Sequence, residues 1–234
     1  MHNMAYTHLF FDLDHTLWDF DRNSNDTLRE LYSDFQFSER FGFTESEWLN
    51  TFLKVNHELW SLYNVGKIQR DEIRERRFDM VLDALSAPTT ERPADLSEIY
   101  LMRCPQKPHT MPHTHATLDY LREKNYQLHI ITNGFDDVQA IKMKAANLEG
   151  YFDVIVTSET SGHKKPSPEI FHFAAQQAKA KLADSLMIGD NLETDIGGAK
   201  AVAMDQVFYN PHKNSHTERP TYEIACLSEL QSLL

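Results

Sequence analysis

The chain predicts an α/β fold: a doubly wound parallel sheet with an all-helical segment inserted after its first strand. Three observations carry this. Short apolar runs without polar alternation recur at 8–13, 127–132, 152–158, 185–190 and 206–209, the pattern of strands buried on both faces. From about residue 114 onward these runs alternate with helical patterns, which implies crossover connections and a parallel sheet. The interval between the first run and the second shows helical periodicity and needs no strand.

The elements follow in order. HLFFDL opens the sheet. Leu28, Leu31, Tyr32 and Phe35 then repeat at i, i+3, i+4 and i+7, one face of a helix. Thr44 and Glu47 make a capping box ahead of Trp48, Phe52, Val55, Leu59 and Leu62. Phe78, Val81, Leu82 and Leu85 continue the helical theme, APTTERPAD breaks it, and a short helix is predicted over 96–103. CPQKPHTMPH, with three prolines, marks a linker. A helix carrying Leu118 and Leu121, the strand QLHIIT and a helix carrying Val138, Ile141 and Ala145 come next. The strand FDVIVTS precedes a helix starting at Ser167-Pro168-Glu169, with an N-cap, proline at the first position and an acid in the first turn. SLMIGD, another helix, QVFY and a last short strand and helix complete the chain. The predicted division is therefore residues 1–18 with 108–234 as a core, and 19–107 as a helical insertion. Set directly behind the first strand, that insertion would sit over the strand's carboxyl end, where open α/β sheets bind ligands.

Composition narrows the function. The chain has 234 residues, 41% hydrophobic and 25% charged, enough for one large core plus an insertion. A formal net charge of -12, with RERRF at 74–78 as the nearest basic stretch, argues against a nucleic acid polymer as partner. Cys104 and Cys226 are far apart and lack metal spacing, which fits a reduced, cytoplasmic protein. MHNMAYTH has neither the charged nor the apolar region of a leader peptide, and no run is long enough for a membrane span. No interface stripe stands out, so monomer and dimer both remain open.

The chemistry lies where the strands end. The first ends in Asp12 and Asp14, the second in Thr132-Asn133-Gly134, and the third is followed by Lys164-Lys165-Pro166. The fourth ends in Gly189-Asp190-Asn191, with Asp195 one helical turn on. Adjacent parallel strands would gather these carboxylates, a hydroxyl, backbone amides and an ammonium in one crevice. Oxygen ligands for a hard cation, donors for phosphate oxygens and a carboxylate nucleophile together match a Mg²⁺-dependent phosphoryl-transfer site. Two acids separated only by Leu13 are costly unless a cation lies near. Strand alternation puts Leu13 on the side opposite both acids, so that both face the crevice.

DLDHT, the strand ending in Thr132, the KKP segment and GDNLETD, in that order, resemble the four motifs of the haloacid dehalogenase superfamily. The resemblance spans residues 9–195 and implies a Rossmann-like core, with the insertion similar to the family's C1-type cap. TLWDF, GDNLETDIGGA and DQVFYNP further resemble its pyrimidine and non-canonical nucleotide 5′-nucleotidases. What the resemblance implies is a set of roles. Asp12 is the nucleophile that forms an aspartyl phosphate. Asp14 protonates the leaving alcohol and then deprotonates the attacking water. Mg²⁺ is held by the Asp12 carboxylate, the Asp14 backbone carbonyl and Asp190. Asp195 orients either the metal waters or Lys165. Thr132 and the Asn133 amide bind phosphate oxygens, and Lys165 neutralises charge. Lys165 is chosen over Lys164 because the family lysine directly precedes the proline. Mutual repulsion between the two acids is expected to keep Asp14 partly protonated for its acid role. The cap is expected to close over the substrate and read the leaving group.

Dehalogenating members lack the second acid of DxD, so Asp14 disfavours carbon–halogen hydrolysis. Mutases of the family usually carry glycine where this chain has His15. A phosphoglycolate-type or sugar-phosphate phosphatase is the nearer alternative, and a non-catalytic binding domain the more distant one. His109, His113 and His115 read as a solvated linker, Asp19 and Asp21 as hinge residues, and Trp48 and Trp60 as insertion core. Arg74, Arg76 and Arg77 read as a solvated helix face, with a cleft-pointing orientation of one of them as the alternative.

Overall fold

The computed structural model describes residues 6–234, so the leader-peptide reading falls largely on residues outside that range. Six strands form one sheet: β1 (His8–Phe11), β2 (Gln127–Thr132), β3 (Val154–Thr157), β4 (Ser185–Gly189), β5 (Asp205–Tyr209) and β6 (Tyr222–Ile224). Their order is β3-β2-β1-β4-β5-β6 and every pairing is parallel. This is the Rossmann-like doubly wound arrangement, with the strand order reversing beside β1.

β1 is central, and its composition explains why. Leu9, Phe10 and Phe11 are each fully buried, and a strand covered on both faces has no use for polar alternation. Phe11 lies opposite Ile130 of β2 and Ile188 of β4. Phe10 packs with Ile131, Val156, Ile170, Phe171, Ala174 and Met187 on one side of the sheet. Asp12 N donates to Ile188 O at 2.9 Å, which extends the ladder by one residue and pins the aspartate at the strand tip.

The chain divides into two compact units, one comprising the residues up to Phe20 with Pro108–Leu234, the other Asp21–Lys107. The second unit is helical, with helices Glu45–Asn64, Arg70–Ala84 and Leu96–Arg103. Its capping box is formed: Glu47 N donates to Thr44 Oγ1 at 3.2 Å, and Thr44 N donates to Glu47 Oε2 at 2.7 Å. Its core is aromatic. Trp48 is fully buried, with Nε1 donating to Leu28 O at 3.0 Å, and its ring meets Phe37, Phe43 and Phe78.

Two expectations are corrected here. Arg77 is not on a solvated face: it is 5% exposed, with its guanidinium 4.6 Å from the Tyr100 ring centre and flanked by Phe52 and Phe78. The rings accept its flat cation, and Nη1 donates to Asn56 Oδ1 at 3.2 Å. Ser167 precedes the helix Pro168–Gln177 but its side chain caps no backbone N–H. Its hydroxyl donates to the Glu169 carboxylate instead.

Candidate active site

The carboxyl ends of β2, β1 and β4 lie side by side, and the candidate residues stand there. Lys165 is the hub. Its side chain is 2% exposed, and Nζ donates to Asp12 Oδ1 at 2.6 Å, Asp195 Oδ1 at 2.6 Å and Ile131 O at 2.8 Å. A buried ammonium needs such partners, and these use all three of its hydrogens. Burial would lower the Lys165 pKa, but the two carboxylates outweigh it and hold the group well above the ordinary lysine range. The loop that carries Lys165 is tied down by Asn133. Lys165 N donates to Asn133 Oδ1 at 2.7 Å, and Asn133 Nδ2 donates to Lys165 O at 2.9 Å.

Asp12, Asp190 and Asp195 place carboxylate oxygens within 4.8 Å of one another. Burial first, then the neighbouring acids, push Asp12 up to about 8 and Asp190 up to about 7. Such a cluster asks for more positive charge than Lys165 supplies. The residues fit a hard divalent cation, which prefers oxygen donors. Their hydrogen bonds also sort them. Asp195 spends Oδ1 on Lys165 and Oδ2 on Asn191 N at 3.0 Å. Asp12 gives Lys165 only Oδ1, and Asp190 Oδ1 accepts from Thr16 Oγ1 at 3.1 Å. Asp12 and Asp190 are therefore the candidate ligands, and Asp195 holds Lys165. Gly189 makes room for this: a Cβ there would lie 2.2 Å from Asp195 Oδ2.

Asp14 departs from expectation. It does not share the Asp12 cation. Lys142 Nζ donates to its two oxygens at 2.6 and 2.9 Å, and Gln139 Nε2 donates to Oδ2 at 3.0 Å. Burial works to raise the Asp14 pKa, but Lys142 and the hydrogen bonds from Lys142 and Gln139 together hold it below the ordinary carboxylate range. The repulsion expected to protonate Asp14 falls on Asp12 and Asp190 instead. Lys142 itself is sheltered, with Nζ 4.5 Å from the Trp18 ring centre. Thr132, 2% exposed, accepts at Oγ1 from Gly134 N at 3.0 Å and from Gln139 Nε2 at 2.9 Å.

Thr16, Gln139 and Lys142 escaped the sequence reading. Thr16 stands inside DLDHT, four residues from Asp12. Gln139 and Lys142 lie on the helix Asp136–Ala145, where Val138, Ile141 and Ala145 suggested the inward face. Ile141 is 42% exposed, and the buried face carries Gln139, Lys142 and Met143. His109, His113 and His115 belong to no cluster of possible metal ligands among the described residues. No described helix is long and apolar enough to cross a membrane.

Comparison with known proteins agrees with this geometry. The chain is 30% identical to the pyrimidine 5′-nucleotidase PynA of Streptococcus pneumoniae, over 99% of this chain and 96% of that one. It is also 30% identical to the pyrimidine 5′-nucleotidase YjjG of Escherichia coli, over 99% of both chains. The solved structure of YfnB from Bacillus subtilis, bound to magnesium, superposes with a TM-score of 0.86 at 27% identity, covering 98% of each chain. A family model described as haloacid dehalogenase-like hydrolase matches residues 6–203, most of the chain. With its sheet order, its strand-end carboxylates and this match in agreement, the chain belongs to the haloacid dehalogenase-like hydrolases.

Proposed function

We propose that the chain is a Mg²⁺-dependent phosphatase that hydrolyses a small phosphomonoester, a nucleoside 5′-monophosphate, through an aspartyl phosphate on Asp12. The observation that carries this reading is Lys165 joining Asp12 and Asp195, both at 2.6 Å, beside Asp190. It leaves one buried carboxylate, Asp12, with a cation at one oxygen and the other oxygen available to attack. The activity named for PynA and YjjG supports the nucleotide as substrate.

Asp12, Asp190 and the Asp14 backbone carbonyl would hold Mg²⁺, which when bound would neutralise phosphate oxygens and offset the repulsion between the two acids. Asp12 attacks phosphorus, the bond to the leaving oxygen breaks, and Asp14 delivers a proton to that oxygen. Water then attacks the aspartyl phosphate, Asp14 takes its proton, and inorganic phosphate leaves with Asp12 regenerated. Asp14 rests as a carboxylate beside Lys142, so its acid form is made in the complex. A dianionic phosphate arriving next to it raises its pKa. Lys165 neutralises Asp12 and the charge that builds on the phosphoryl group, and the Thr132 hydroxyl and Asn133 amide donate to phosphate oxygens.

The test is a phosphomonoester panel with Mg²⁺, covering UMP, dUMP, dTMP, phosphoglycolate, hexose phosphates and an aryl phosphate. Pyrimidine nucleotides are expected to give the highest kcat/KM, and Asp12→Asn to abolish turnover. Comparable turnover by that variant sinks the nucleophile assignment. A preference for phosphoglycolate or hexose phosphates shifts the substrate class and leaves the mechanism standing.

A further inference from the structure

A threonine hydroxyl has one hydrogen to give and two lone pairs that accept. At Thr132 both lone pairs are taken, by Gly134 N at 3.0 Å and Gln139 Nε2 at 2.9 Å. Only the hydrogen is left, so toward a ligand this hydroxyl acts in one sense, as a donor. The same Gln139 Nε2 donates to Asp14 Oδ2 at 3.0 Å. An ionised carboxylate only accepts, and this fixes the amide with its nitrogen toward Asp14 and Thr132.

Two further features are built around that side chain. Gln139 Oε1 is buried without a hydrogen-bond partner, a cost accepted to keep the nitrogen turned inward. A Cβ on residue 134 would stand 1.8 Å from Gln139 Nε2 and 2.5 Å from its amide carbon, so Gly134 is the residue that lets the glutamine pass.

We infer that Gln139 is a positioning residue: its amide nitrogen fixes the Thr132 hydroxyl as a phosphate donor and holds the Asp14 carboxylate beside it. The inference rests on the phosphatase reading above. Gln139 touches Thr132 and Asp14, and acts on phosphate through them. A donor already aimed at phosphoryl oxygens costs no reorganisation when charge builds there. Lys142 could hold Asp14 alone, but the bond to Thr132 comes from Gln139, so the link between the two strand ends belongs to Gln139.

Gln139→Glu tests this with almost no change of shape. A carboxylate has no N–H to give. It would accept the Thr132 hydrogen, turn the hydroxyl away from the ligand, and repel Asp14. Gln139→Met keeps the length and removes the donor without reversing the polarity. The measurements are kcat and KM on the best phosphomonoester with Mg²⁺, the inhibition constant of inorganic phosphate, and Tm. Loss of fold lowers the active fraction, whereas the inhibition constant belongs to the molecules that remain folded. The expected kcat losses are about tenfold for Gln139→Met and about 100-fold for Gln139→Glu, with phosphate inhibition weakened in the same order. Should Gln139→Glu fail to fold, Gln139→Met carries the test. An active wild type, with the folded variants within about twofold of it in kcat and in phosphate inhibition, overturns the inference alone. A wild type that turns over no phosphomonoester overturns the phosphatase reading and the inference together.

Discussion

Lys142 Nζ sits 2.6 and 2.9 Å from the two carboxylate oxygens of Asp14. Asp12, two residues earlier, has a different lysine, Lys165, at 2.6 Å. Two neighbouring acids at the tip of a buried strand are thus tolerated because each has its own ammonium.

Replacing Lys142 with methionine should move the acid limb of the pH–rate profile. Burial alone acts to raise the Asp14 pKa, and Lys142 is the largest influence opposing it. Without Lys142 the folded pKa rises, so the carboxylate proposed to deprotonate water is lost at a higher pH than in the wild type. The acid limb is expected to shift upward, with kcat at neutral pH falling by about tenfold or more. A profile of unchanged midpoint would show that Lys142 does not govern Asp14.

Lys165 should be a stability residue as well as a catalytic one. Removing it leaves Asp12 and Asp195 buried and facing one another without their shared cation. Loss of one partner from a buried ion pair costs about 3–5 kcal/mol. Lys165→Met is expected to unfold at lower urea at pH 8 and to lose turnover. Asp12 stands at about 8 with Lys165 beside it, and losing that ammonium raises it further, so the variant relieves the repulsion by protonating Asp12 and its deficit should be larger at about pH 9 than at about pH 6. Equal deficits at pH 6 and pH 9 would refute the electrostatic account.

How much of this was legible depends on what each residue answers to. β1 announced itself because burial on both faces demands an unbroken apolar run, and DLD had to fall where that run ends. Asp195 and the Lys164-Lys165 pair could be placed because parallel strands bring their ends together, and the family resemblance, in which the lysine directly precedes the proline, chose Lys165. Lys142 and Gln139 were hidden because helical periodicity reports where apolar residues lie. On the helix Asp136–Ala145 the acid they serve, rather than apolar packing, sets the inward face. Arg77 was hidden within RERRF for a related reason: its charge suggested solvent, whereas its spacing did not. It lies four residues after Ile73 and four before Val81, both buried, and so stands in the apolar stripe. Its flat cation is accepted there by aromatic rings.

Mg²⁺ binding should release protons. Asp12 is raised to about 8 and Asp190 to about 7, so in the metal-free protein both are largely protonated at about pH 6 and ionised at about pH 9. A divalent cation held by both must displace those protons at the lower pH. Apparent affinity is therefore expected to rise with pH and flatten above the Asp12 pKa. Titration calorimetry in buffers of different ionisation enthalpy measures the release directly. Buffer-independent heats and a constant affinity across that range would show that these two carboxylates are not the ligands.

Acid stability should depend on a histidine pair far from the chemistry. His8 Nδ1 lies 3.1 Å from His129 Nε2, their rings are stacked, and His129 is 1% exposed. Burial first, then His8, lowers the His129 pKa from 6.5 to about 4, and burial lowers His8 too. For a base with a depressed folded pKa, the unfolded chain binds the extra proton between the two values. The pair's contribution is therefore intact above about pH 6.5 and is lost as pH falls toward 4, amounting to about 3 kcal/mol for His129. Asp12 and Asp190 act in the opposite sense in the metal-free protein, because their folded pKa values are raised. Comparing wild type with His129→Leu cancels that contribution. Urea unfolding of both at about pH 7.5 and about pH 5 should show the wild type losing more stability than the variant on acidification. Parallel losses in the two proteins would assign the acid sensitivity elsewhere.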